Sequence, residues 1–232
     1  MLRAIIFDFN GVIADDETPH VRCFCQALKE FGLSLSPEEY YGTYLGMDER
    51  TCTELLLAAR NGQSDEQVVR QIQERKGELF RQQTAGHKPP VFPGVVEFVK
   101  SAKSLYRLAI ASGGRRDQIN HALRETPIQD DFKVIVSAED CPVGKPDPAI
   151  YRMALGRMNE LVPQDLLVVP QDCLVIEDSL AGIRSARAAG MFVLGLATTY
   201  PADYLHEADL ILPSLAGVNP EDVLMRLSER PG

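Results

Sequence analysis

Six short runs rich in β-branched and aliphatic residues recur along the chain: LRAIIFDF (2–9), YRLAIAS (106–112), KVIVSA (133–138), CLVIED (173–178), MFVLGLA (191–197) and DLILP (209–213). Several are apolar at odd and even positions alike, so both pleat faces must be covered. That pattern belongs to parallel strands with helices packed on each side. The stretches between the runs read as helices, so the predicted fold class is α/β, a doubly wound parallel sheet of the Rossmann-like kind. Such sheets bind ligands beyond the carboxyl ends of their strands, and that is where chemistry is expected.

Residues 10–105 lie between the first two runs. This is far more than the dozen or so residues that a crossover needs. The excess reads as an inserted, all-helical cap. Residues 18–31 form one predicted helix, with Thr18 as N-cap, Pro19 at the first helical position, an apolar stripe of Val21, Phe24, Leu28 and Phe31, and Gly32 as stop. SPEE (36–39) and SDEQ (64–67) are capping-box starts, and ERTCTELLLAARNG predicts a helix that ends at Asn61-Gly62. Pro89, Pro90 and Pro93 mark the return. The expected division is therefore a core of residues 1–15 and 88–232 and a cap of residues 16–87. Two crossings, near residues 15 and 88, suit a lid that opens and closes over a site.

Charge and composition narrow the function. A formal net charge of -9 disfavours a protein that grips nucleic-acid phosphates, while a locally positive site for a small anion stays open. No apolar run approaches the roughly 18 residues of a membrane span, and Met1 leads straight into a strand, so the expectation is a cytoplasmic protein without a membrane partner. Five scattered cysteines lack C-x-x-C spacing and predict neither disulfides nor a zinc site. Oligomeric state has no signature in the sequence.

Polar residues fall where the sheet would present them. Asp8 ends the first predicted strand, Ser112 the second and Glu177-Asp178 the fourth, while Lys145 sits in the loop CPVGKPDP before a helix. Three carboxylates side by side would repel and lose ionisation without a cation among them. A hard, oxygen-ligated ion such as Mg2+ fits. ASGG adds a hydroxyl and the bared amides of Gly113 and Gly114 at a helix start, an anion cradle to which Lys145 adds a positive charge. With a lone carboxylate nucleophile, these groups suffice for phosphoryl transfer through an aspartyl-phosphate.

In order and spacing, FDFNGVI, ASGG, VGKPDPAIY and CLVIEDSLAGIRSARAAG resemble the four motifs of the haloacid dehalogenase superfamily, and the insertion is similar to the cap of its β-phosphoglucomutase-like branch. The resemblance implies Asp8 as nucleophile, Ser112 and Lys145 holding the phosphoryl group, and Glu177, Asp178 and the main-chain carbonyl of Asn10 at Mg2+. His20, the loop LGMDER with Arg50, and Lys76 stand where that branch places cap groups facing the substrate. The implied activity is a Mg2+-dependent phosphohydrolase acting on a small phosphorylated metabolite. A phosphosugar mutase and a low-activity scaffold that binds a phosphorylated ligand are the alternatives. Dehalogenases of the family need no metal, against IED, and its phosphonate hydrolases use a cap lysine that LGMDER lacks. The departure is Asn10, where the family's phosphatases place an acid that protonates the leaving group. Asp15, Asp16 or Glu17 are candidates to replace it, and Asn10-Gly11 is a pair prone to deamidation.

Overall fold

The computed structural model describes residues 2–44, 47, 49–84, 88–141 and 143–228. All six apolar runs are strands: β1 (Ala4–Phe7), β2 (Arg107–Ala111), β3 (Val134–Val136), β4 (Cys173–Glu177), β5 (Phe192–Leu196) and β6 (Leu210–Leu212). They form one parallel sheet in the order β3-β2-β1-β4-β5-β6. The strand order reverses about β1, the topological switch point where a crevice opens.

Alternate residues of each strand face opposite cores. Ile5, Phe7, Leu108, Ile110, Leu174 and Ile176 pack with α5 (Val95–Ala102), α6 (Arg116–Leu123) and α9 (Pro220–Ser228). Ala4, Ile6, Ala109, Cys173 and Val175 pack with α7 (Ala149–Glu160) and α8 (Leu180–Ala188). Burying one large aliphatic or aromatic side chain contributes about 1.5–3 kcal/mol, so the sheet is held from both faces. Phe7 adds edge-to-face contacts with Phe98 and Phe132 at centroid distances of 6.1 and 5.6 Å.

Between β1 and β2, the segment 17–84 is helical in its main described elements: α1 (Glu17–Glu30), the short α2 (Pro37–Glu39) running into a π-turn (Tyr40–Tyr44), α3 (Glu49–Asn61) and α4 (Glu66–Thr84). These helices share a core of their own in which Cys23, Phe24, Ala27 and Leu28 of α1 meet Ile72, Leu79 and Phe80 of α4. The chain leaves and returns side by side: Asp15 N–H donates to Pro90 O (2.9 Å) and Phe92 N–H to Ile13 O (3.0 Å).

Helix α1 starts one residue before Thr18, with Asp16 in the N-cap position, so Thr18 and Pro19 lie inside the first turn. Its end is as expected: Leu33 N–H reaches back to Leu28 O and Gly32 N–H to Lys29 O, with Gly32 at φ 73. At α4 the cap is Asp65 rather than Ser64, its Oδ1 accepting from the N–H groups of Gln67 and Val68 (2.9 and 3.3 Å). Ser36 does cap α2, accepting from Glu39 N–H at 3.1 Å. All five cysteines are free thiols. No described helix is long and apolar enough to cross a membrane.

Candidate active site

Asp8 follows the last residue of the central strand, its N–H donating to Ile176 O at 2.9 Å, so the main chain of β4 fixes where its carboxylate stands. Lys145 Nζ donates to Asp8 Oδ1 and to Glu177 Oε1, each at 2.6 Å. All three side chains are buried. Burial by itself would lower the lysine pKa; the two carboxylates outweigh that and raise it, so Lys145 stays a cation.

The carboxylates do not share the lysine equally. Burial pushes Asp8 up to about 7, opposed by Lys145 and reinforced by the Glu177 charge. Glu177 is also disfavoured by burial, yet ends below its ordinary value because Lys145, Tyr151 and Ser179 all donate to it. Its Oε1 accepts from Tyr151 O–H (2.8 Å); its Oε2 accepts from Ser179 O–H (3.0 Å) and from the N–H groups of Asp178 and Ser179 (2.9 and 3.0 Å). The sequence reading missed Tyr151 and Ser179. Their local signal is slight, an aromatic in the first turn of α7 and the N-cap serine of α8.

Asp8, Glu177 and Asp178 can each place one carboxylate oxygen within 4.8 Å of the others. Three acids so close, all offering oxygen and with Asp8 raised by burial and by the Glu177 charge, fit a hard divalent cation. Asp178 also explains Gly11: a Cβ there would lie 1.9 Å from Asp178 Oδ2, and the residue sits at φ 77. On the other side of Asp8, Ser112 is buried and its Oγ accepts from Gly114 N–H at 3.0 Å, which ties the main chain of 112–114 into a tight turn.

Asn10 joins this cluster to the helical segment. Its Nδ2 donates to Asp16 Oδ1 at 2.7 Å; a carboxylate offers only acceptors, so the amide nitrogen must be the atom that faces it. His20 Nε2 lies 3.3 Å from Asp16 Oδ2 and 3.0 Å from Asn10 Nδ2, and its Nδ1 lies 2.5 Å from Lys76 Nζ. A lysine ammonium only donates, which leaves Nδ1 as acceptor and puts the ring proton on Nε2, toward Asp16. Phe80 covers the pair, its ring 4.2 Å from the imidazole and 5.5 Å from Lys76 Nζ. Gly11 N–H is tied to Ala14 O (2.9 Å) and the Asn10 amide to Asp16, which opposes the ring closure that deamidation requires.

A cavity of about 480 Å³ opens between the two parts of the chain. Asp8, Asn10, Ser112, Gly113, Gly114, Lys145 and Asp178 line it from the sheet; His20, Lys76 and Arg50 line it from the helices. Glu177 is the one expected site residue behind the wall, in contact with Lys145. Arg50 is the most exposed of the set and pairs with Glu54 at 2.7 Å and Glu66 at 3.7 Å. Residues 45, 46 and 48 of LGMDER lie outside the described residues. Of the three acids considered as stand-ins for position 10, Asp16 is buried against Asn10 and Asp15 is exposed.

A doubly wound sheet with a carboxylate, a lysine and an acidic pair buried at its switch point, and helices across the opening, defines a class of capped α/β hydrolases. The family model for haloacid dehalogenase-like hydrolases matches residues 2–190, and the chain belongs to that family. It is 28% identical to a phosphorylated carbohydrates phosphatase of Thermotoga maritima, over 98% of this chain and 99% of that one. It is 32% identical to the protein CbbY of Rhodobacter capsulatus, over 93% and 94% of the two chains. Among solved structures, β-phosphoglucomutase from Clostridium difficile superimposes with a TM-score of 0.82 at 25% identity, covering 99% of this chain and 98% of that one. The chain is an enzyme of the phosphatase type within this family.

Proposed function

We propose that this enzyme is a Mg2+-dependent phosphohydrolase of small sugar or polyol phosphates, working through an aspartyl-phosphate on Asp8. The observation that carries the reading is the buried Asp8–Lys145 pair, flanked by Glu177 and Asp178 and open to the cavity. Residues 1–15 and 88–232 act as the catalytic core, and residues 16–87 as a cap that moves about the paired crossing at Asp15 and Pro90. The relatives' names favour a phosphorylated carbohydrate, and a cavity of about 480 Å³ suits a ligand of that size.

In this reading Asp8, Glu177, Asp178 and the main-chain carbonyl of Asn10 would hold the ion, and Glu177 also sets Lys145 and the start of α8. The chemistry that Mg2+ would supply there is charge neutralisation, letting an anionic phosphoryl group approach the Asp8 carboxylate. Lys145, Ser112 and the amide of Gly113 orient the phosphoryl group in line with Asp8, with Gly114 N–H holding the Ser112 hydroxyl in place. The carboxylate attacks phosphorus, the bond to the leaving oxygen breaks, and that oxygen takes a proton. An amide at position 10 has no proton to give. The proton comes from the substrate's own phosphate monoanion, present below its second pKa of about 6. Turnover is therefore slow.

Phosphate release from a panel of sugar phosphates, with and without Mg2+, tests the proposal. Asp8→Asn should abolish release while leaving the fold intact; retained activity in that variant would sink the mechanism. Isomerised sugar phosphate without net release would instead make the enzyme a mutase, and binding without either product would make it a scaffold.

A further inference from the structure

We propose that Asp16 is a positioning residue that fixes the Asn10 carboxamide, so that Asn10 presents its carbonyl oxygen to the site as an acceptor for the hydrolytic water. The inference rests on the aspartyl-phosphate reading above.

Two observations support it independently. The first is direction: Asn10 Nδ2 faces Asp16 Oδ1 at 2.7 Å, while Asn10 Oδ1 lies 3.5 Å from Ser112 Oγ, and a Cβ on Gly114 would stand 3.1 Å from it. The carbonyl therefore looks over the phosphoryl cradle. Reversing the amide would press its oxygen against a carboxylate. The second is what Asp16 forgoes. An aspartate in the N-cap position ordinarily accepts from the first turn of its helix. Here the side chain makes no capping hydrogen bond, and its two oxygens go to Asn10 and His20. Asp16 is only 2% exposed, and His20 connects it to Lys76, equally buried, so donors and acceptors alternate from Lys76 to Asn10.

The second half-reaction needs such an acceptor more than it needs a base. Water oxygen attacks phosphorus, the bond from phosphorus to Asp8 breaks, and its electron pair returns to the carboxylate. One water proton stays on the new oxygen and the other passes to a phosphate oxygen, giving H2PO4⁻. Atoms and charge balance without a proton acceptor on the protein. What the protein supplies is direction, a hydrogen bond that turns the water's lone pair toward phosphorus, as an amide side chain does in GTPases.

The test isolates that half-reaction. Acetyl phosphate with MgCl2 serves as phosphoryl donor, because acetate leaves without needing a proton. After donor removal, decay of the phosphoryl adduct is followed by intact-mass spectrometry. Asn10→Ala and Asp16→Ala are each expected to slow decay about tenfold, the worth of one oriented hydrogen bond. Adding Asp16→Ala to Asn10→Ala should slow it no further, because Asp16 acts through the amide. Asp16→Asn keeps an oxygen that accepts from Asn10 and should stay within about threefold of the parent. Far-UV circular dichroism checks folding, and Asp16→Ser, too short to reach the amide, replaces the alanine variant if that one unfolds. Additive slowing in the double variant, or Asp16→Asn as slow as Asp16→Ala, would overturn the proposal. A parent enzyme that forms no adduct would overturn the aspartyl-phosphate reading and this inference with it, a result distinct from an adduct that decays at the wrong rates.

Discussion

Replacing Lys145 with Met keeps most of the side-chain volume and removes one charge from between two carboxylates. The ammonium lies 2.6 Å from each, and at an effective dielectric of about 20 each contact carries roughly 6 kcal/mol of gross attraction. Most of that offsets the desolvation of three ions. What remains measurable is the cost of stranding Asp8 and Glu177 beside each other, about 3–5 kcal/mol for a buried pair that loses one partner. With a urea slope near 3 kcal/mol/M, the upper end for a small protein, the unfolding midpoint should fall by about 1–2 M at unchanged slope. Phosphate release should fall as well, since the cradle loses its cation. Adding Glu177→Gln to Lys145→Met should return part of the lost stability by removing one of the stranded charges. A Lys145→Met midpoint equal to the parent's would refute the reasoning, because it would mean that the carboxylates are solvated or already neutral.

Asp140 gives the pH prediction: it accepts from Arg157 (2.9 Å), Arg116 and Ser137, and although burial opposes it these donors hold its carboxyl far below the usual range. A depressed folded pKa contributes stability above the unfolded value of about 3.9 and loses it as pH falls further, so Asp140→Asn should flatten the acid limb of the stability curve in urea titrations; an unchanged limb would refute this. Arg50→Ala should raise KM for sugar phosphates several-fold with kcat within about twofold, since Arg50 lines the cavity from α3 rather than from the sheet that carries Asp8, and an unchanged KM would remove it from the substrate site. Asn10→Asp sets a second carboxylate where Asp16 Oδ1 now accepts at 2.7 Å, so the single variant should melt below the parent. Asn10→Asp with Asp16→Asn should hydrolyse sugar phosphates at least tenfold faster than the parent, near the low end of the general-acid range, and a double variant no faster than the parent would end the general-acid argument.

The sheet was legible because its strands are apolar on both faces, a pattern that local structure has no other use for. Ile5 and Phe7 serve one core while Ala4 and Ile6 serve the other. Helix starts were less legible, and for a physical reason. Thr18 has the local chemistry of a cap, but the residue in that position is Asp16, whose carboxylate is taken by a partner six residues back and a histidine one turn on. The strand-end residues Asp8, Ser112 and Asp178 and the loop residue Lys145 follow from topology alone, since every parallel strand delivers its last residue to one edge. Tyr151 and Ser179 do not. Their work is to fill the lone pairs of Glu177, and that need exists only once α7 and β4 are packed together.

Why an amide stands at position 10 is a question of local charge. Among the described residues, the buried carboxylates are Asp8, Asp16, Glu177 and Asp178 and the buried lysines are Lys76 and Lys145, all of them at this one site. Four carboxylates stand against two lysines, an excess of acid that suits a divalent cation. An ordinary acid at position 10 would add a fifth carboxylate in contact with Asp16, which no buried cation is present to answer. Asn10 keeps the main-chain carbonyl and the hydrogen bond without that charge. The network of Lys76, His20 and Asp16 is thus matched to an amide, and restoring the acid requires changing Asp16 along with it.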